Sequence, residues 1–150
     1  MKKLAIVLGV FMFSFGGSQA QELLELLKKD LNKEKRTLVA EAMDIKEENK
    51  TAFWEAYGEY ETATNTLIDM RAKNIEKFAD NYDKLTDEIA DEIASTYISS
   101  KAKQLKIQKT TYKKMKKIMG ARQAARFIQI MNQVQLLIDM QIASEVPLIE

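Results

Sequence analysis

Methionine thioethers, paired carboxylates, a cluster of aromatic rings and a run of lysines are the side chains whose type and spacing could do chemistry here. Met115 and Met119 stand four residues apart, which on a helix puts both thioethers on one face, and soft sulfur donors suit Cu(I). Flexible apolar filling is the commoner use of methionine, and no second pair clusters with this one, so no metal is expected. Asp87 with Asp91 and Glu88 with Glu92 share the spacing and could hold a hard cation, but a solvated helix face explains them better.

Histidine and cysteine are both absent from the 150 residues. Their absence removes the commonest metal ligand and the usual neutral-pH proton shuttle, and it excludes Cys/His zinc sites and His-dependent triads. There is no phosphate loop or nucleophile elbow either. Paired carboxylates alone would be left for acid–base work, so the expectation is a protein that is not an enzyme, with no catalytic residues and no cofactor.

Charge is segregated along the chain. Lys101, Lys103, Lys106, Lys109, Lys113, Lys114, Lys116, Lys117, Arg122 and Arg126 follow one another with no acid between them. Between Glu41 and Glu92, fifteen acids stand against six basic residues. Two readings follow. The basic run is a surface for acidic clients, a signalling partner or anionic membrane headgroups, or it pairs with the acidic stretch inside the fold or across a dimer. Nucleic acid is a poor partner for an exported chain. The aromatic residues Phe53, Trp54, Tyr57 and Tyr60 also read two ways. They line an apolar groove, or they form core with Phe53 and Tyr57 inside and Trp54 at the rim.

These residues must be positioned by helices. The chain is 46% apolar and 30% charged, with five glycines and one proline, a profile that favours long helices over a β fold. Leu24, Leu27, Leu31 and Leu38 predict an amphipathic helix over about 22–42. Asp44 with Glu47 predicts a capping box that starts a second helix, whose stripe runs from Phe53 through Tyr57, Tyr60, Leu67, Arg71 and Phe78 to Tyr82. Thr86 predicts the cap of a third helix, ended by Gly120. A fourth, over about 122–143, carries apolar residues around so much of its circumference that it is expected to be the most buried. Pro147 stops it. The fold class expected is all-α, an elongated antiparallel bundle or set of helical hairpins of about four helices.

The first twenty residues have the parts of an export signal. Lys2 and Lys3 precede an apolar stretch, Leu4 to Phe15, and Ser18-Gln19-Ala20 offers small residues for cleavage after Ala20. The apolar stretch is shorter than the roughly 20 residues a membrane span needs. The expectation is a cleaved signal over 1–20, a single helical domain over 21–150, and a periplasmic or otherwise exported location.

A family resemblance rests on particular residues. Met43-Asp44, then Phe53-Trp54 with Tyr57 and Tyr60, then Leu85-Thr86, then Ala125-Arg126-Phe127 with Gln129 resemble the exported helical proteins of the Spy/CpxP type. The resemblance covers about residues 36–149. The group's Leu-Thr-x-x-Gln box stands here as Leu85-Thr86-Asp87-Glu88-Ile89, without the glutamine, and Met119-Gly120 stands where related chains have Leu-Pro. The resemblance implies a binding role in the cell envelope: a chaperone-like holder of unfolded clients that uses no ATP, or an accessory sensor of envelope stress or sigma-factor signalling that recognises one partner. The surface expected to do this combines the ten basic residues from Lys101 to Arg126 with Trp54, Tyr57 and Tyr60. Homodimerisation fits either role.

Overall fold

The computed structural model describes the backbone of residues 17–149 and, among side chains, residue 26 and those from 28 onward. Lys2, Lys3 and the apolar stretch Leu4 to Phe15 lie outside the described residues. Three α-helices account for nearly all of the rest: α1 (Gly17–Ala42), α2 (Lys50–Asn81) and α3 (Asp87–Glu145), with single 3-10 turns at Glu47–Asn49 and Tyr82–Lys84 between them. The expected fourth helix, residues 122–143, follows the third within α3, the helical conformation being interrupted only at Gly120. Among the described residues no helix is long and apolar enough to cross a membrane.

One residue explains how α3 can be a single element and still fold compactly. Gly120 has φ +83° and ψ 166°, non-helical values in the middle of the 59-residue helix. Across this point Gln108 donates to Asn132 at 2.7 Å and Lys101 donates to Asp139 at 2.8 Å. Residues 38 apart in a straight helix would be more than about 50 Å from one another, so α3 doubles back at Gly120 into two antiparallel limbs. No loop intervenes. A single positive-φ residue makes the reversal, and its ψ is extended, a combination almost confined to glycine.

The remaining pairings are antiparallel along the chain. Between α1 and α2, Lys28 meets Asp69 at 2.6 Å, Asn32 donates to Asn65 at 2.9 Å, and Arg36 lies 4.0 Å from Glu61. Between α2 and the first limb of α3, Lys114 pairs with Glu59 while Asn74 donates to the carbonyl of Ile93 at 3.0 Å. The second limb therefore runs parallel to α2, with Phe127 beside Tyr60 and Asp139 beside Arg71.

Thr86 caps α3 as its sequence implies, its hydroxyl accepting from the N–H of Ile89 at 3.3 Å. The capping box expected at Asp44 and Glu47 does not form. Glu47 opens a 3-10 turn instead, α2 begins at Lys50, and neither start has a side-chain cap. Of the leucines expected along α1, Leu31 and Leu38 are half-buried on the same face as the buried Lys28, Lys35 and Val39, and the side chains of Leu24 and Leu27 lie outside the described residues. Lysine can be buried in this way because its four-carbon stem is apolar. The amine of Lys35 has no hydrogen-bond partner among the described residues, and burial lowers its pKa against the opposing pull of Glu61.

The apolar core lies at the Gly120 end. Val39 of α1, Met43 just past its end, Phe53, Ala56 and Tyr57 of α2, and Met115, Ala124, Phe127, Met131 and Val134 of α3 form one buried cluster. The segment after Gly120 contributes Ala124, Phe127, Met131 and Val134 to the core, while Leu136, Leu137 and Met140 are 60%, 51% and 61% exposed.

Two expectations test this account. Gly120→Ala places a Cβ where no atom lies within 4 Å, so its cost is backbone strain alone; a loss of about 1–3 kcal/mol in urea unfolding is expected. Lys35→Met keeps the apolar stem and removes a buried amine, and is expected to raise stability by about 1 kcal/mol in the same measurement.

Candidate functional surface

Thr111 and Met115 are the buried residues of the first α3 limb. Opposite them, Lys106, Lys109, Lys113, Lys116 and Lys117 follow at helical spacing and are all exposed. None of the five makes an ion pair among the described residues, and neither does the exposed Arg122. The other expected basic residues are engaged. Lys101 binds Asp139, Lys114 binds Glu59, Lys103 reaches the Met70 sulfur at 3.6 Å, and Arg126 donates to the last carbonyl of α1, Ala42, at 3.0 Å.

This distribution decides between the two readings of the charge pattern within one chain. The acidic second helix neutralises the basic run at one ion pair, Lys114 with Glu59, and leaves Glu55, Glu76 and Asp80 exposed. The lysine row is a solvent-facing positive surface. Leu105 and Ile98 continue it along the same limb and are 67% and 66% exposed, so apolar area adjoins the charge.

The aromatic residues divide differently from the expected surface. Tyr57 is fully buried and is removed from it: Phe127 meets the ring edge-on at 6.2 Å, and Phe53 stacks on it at 6.4 Å. Burial pushes the Tyr57 phenol well above its usual range, assisted by the nearby Glu61 and Tyr60. Tyr60 is half-buried against Phe127 at 5.6 Å, and burial pushes it up to about 12. Trp54 is half-buried at the rim with the Arg36 guanidinium 4.9 Å over its ring, a cation–π contact. The basic residues and the aromatic cluster are thus not one surface. The rings serve the core, and the lysines face outward from another helix.

Met115 is fully buried in that core, so its thioether packs and does not face solvent with Met119. Among the described residues no three His, Cys, Asp or Glu side chains gather as a metal site. Glu92 pairs with Lys77, and the Glu88 carboxyl is held low by its own backbone N–H and by the Thr86 hydroxyl.

The arrangement that sequence reasoning passed over is centred on Asp139. Its carboxylate takes Arg71 from α2, Lys101 from the first limb of α3 and Gln135 from its own limb, at 2.8 Å for the last two. Burial works against its charge, but these donors prevail and hold its pKa below the ordinary range. A signal existed. Arg71 interrupts an apolar stripe, and Asp139 is the sole charged residue between Arg126 and Glu145. Beside this clasp a groove of about 470 Å³ runs between the two limbs, lined by Lys101, Gln104, Leu105, Gln108, Asn132, Gln135, Leu136 and Asp139.

Because the folded pKa of Asp139 is depressed, its contribution is present above the unfolded value near about 4 and is lost as pH falls through the lower folded value. Asp139→Asn is expected to cost about 1–2 kcal/mol at pH 7 and to flatten the acid limb of the stability profile, read by thermal unfolding between pH 2 and 7.

No family model, curated protein or solved structure matches this chain.

Proposed function

We propose that this protein is an exported binding protein that holds partly unfolded or acidic protein segments without ATP. The observation that carries the reading is the row Lys106, Lys109, Lys113, Lys116 and Lys117, exposed and without acidic partners among the described residues, adjoining the exposed Leu105 and Ile98. Unfolded clients offer apolar side chains and mixed charge. A helical surface that places both chemistries side by side engages them reversibly, with the charge speeding encounter and the leucine and isoleucine supplying contact area. The export signal read over residues 1–20 and the resemblance to the Spy/CpxP type support the same reading. The competing role is an accessory sensor in envelope stress signalling that docks one folded partner on this row.

The two roles separate in one experiment. Light scattering of two unrelated aggregating clients is followed with the protein added in stoichiometric amounts, without ATP, at low and high salt. Suppression for both, weakened by salt because exposed charges are screened, is expected. Lys109→Glu with Lys113→Glu and Lys116→Glu should reduce it several-fold while helicity is unchanged. No suppression for either client rejects the holder and favours the single-partner sensor.

A further inference from the structure

The face that α1 turns inward changes chemistry halfway along. Lys28, Asn32, Lys35, Val39 and Met43 succeed one another at spacings of four, three, four and four, so they form one stripe that continues just past the helix end. Val39 and Met43 belong to the apolar core. The three before them are polar, with Leu31 half-buried beside them. Lys28 meets Asp69, and Asn32 donates to Asn65, but the side-chain oxygen of Asn32 is buried with no partner among the described residues. Lys35 is 7% exposed, and its amine has no hydrogen-bond partner there either. Closing this half of α1 onto α2 therefore takes water from a donor and an acceptor without replacing it, a cost that is removed whenever the segment lifts.

The other half is fastened. Arg36 lies over the Trp54 ring at 4.9 Å and the Tyr57 ring at 5.7 Å, and Arg126 donates to the carbonyl of Ala42 at 3.0 Å. We infer that the part of α1 before Arg36 is a releasable strap, which lifts from α2 as a unit while the part from Arg36 onward stays on the core. A lifted segment has no tertiary support, and a short helix is marginal in water, so its backbone hydrogen bonds open with it. Asn65, Ile68 and Asp69 of α2 are half-buried, and Ile68 shares the face of Asn65 at a spacing of three, so lifting the strap brings an apolar side chain into solvent. Ionic strength sets how often this happens. The Asp69 side chain is 40% exposed, so salt screens its attraction for Lys28 and loosens the strap. Simple fraying would begin at the first residue of α1 and fade inward. A strap opens to a boundary instead, because Asn32 and Lys35, its least satisfied members, stand at its inner end. The lysine row takes no part, so the strap stands or falls apart from the proposed function.

Amide hydrogen exchange of the whole chain, resolved residue by residue by NMR, tests this. Amides of residues 28–35 are expected to exchange at least about a hundredfold faster than those of 40–43, with a step at Arg36. Raising the salt concentration should speed exchange at 28–35 several-fold while the fluorescence of Trp54, the one tryptophan of the chain, stays unchanged. Lys35→Met, which needs no partner for its side chain, should slow exchange at 28–35 several-fold at unchanged helicity. One level of protection across 28–43, a smooth gradient with no step, indifference to salt, or exchange at 28–35 unaltered by Lys35→Met would overturn the inference. Loss of client protection with the strap behaving as described would reject the proposed function alone.

Discussion

Phe127 meets the rings of Phe53, Tyr57 and Tyr60 edge-on at 5.6–6.2 Å, and the organisation of the molecule follows from that junction. The three partners come from the start of α2 and the phenylalanine from seven residues past Gly120, so the contact forms only if α3 reverses there. Edge-to-face rings add about 0.5–1.5 kcal/mol per pair beyond their buried area. Val39 of α1 and Met43 just past its end close the cluster, and Arg126, one residue before the phenylalanine, fastens the last carbonyl of α1. The aromatic junction and the glycine reversal thus determine which faces of the three helices remain outside.

Away from this end the helices are joined by polar contacts. Lys28 with Asp69 and Asn32 with Asn65 hold α1 to α2, and Asp139 ties α2 to both limbs of α3. Such contacts specify register because each has one correct partner, but they stabilise less than an apolar core of equal area. Phe78 is the one buried apolar side chain of α2 beyond Tyr57. Local opening therefore costs less at the end distant from Gly120 than at the aromatic junction. Apolar side chains such as Ile98 and Leu105 are already exposed on the first limb of α3 away from that junction.

Local signals were legible in the sequence, and the choice of buried face often was not. Thr86 and Gly120 read correctly because their roles depend on their own chemistry, a hydroxyl at a helix start and a residue without a Cβ where φ is positive. Phe53 and Tyr57 fall on a helical stripe and lie inside. Asp44 misled because a capping box needs the chain to enter the helix at once, and here a 3-10 turn intervenes. In α1 the periodicity pointed to Leu31 and Leu38 but not to Lys28 and Lys35, which share their face and are buried more fully; what buries a residue is the neighbour that covers it, and α2 offers Asp69 to Lys28. The limb after Gly120 buries Ala124, Phe127, Met131 and Val134 against its neighbours and leaves Leu136, Leu137 and Met140 exposed, a division that its apolar circumference alone does not show. The ten basic residues were visible as a run, but their division into engaged and free members depends on helix register.

The lysine row carries its own energetic argument. Like charges three or four residues apart on a helix destabilise it by about 0.2–0.5 kcal/mol per pair, and the row contains several such pairs between Lys106 and Lys117. Nothing in the packing requires them. Thr111 and Met115 anchor this limb from the opposite side, and the acids of α2 that could neutralise the row stand exposed elsewhere. Alternating charge at the same positions would serve the fold better and leave the core unchanged. The row is thus kept repulsive at some cost to its own helix, a cost that the packing around Thr111 and Met115 does not offset.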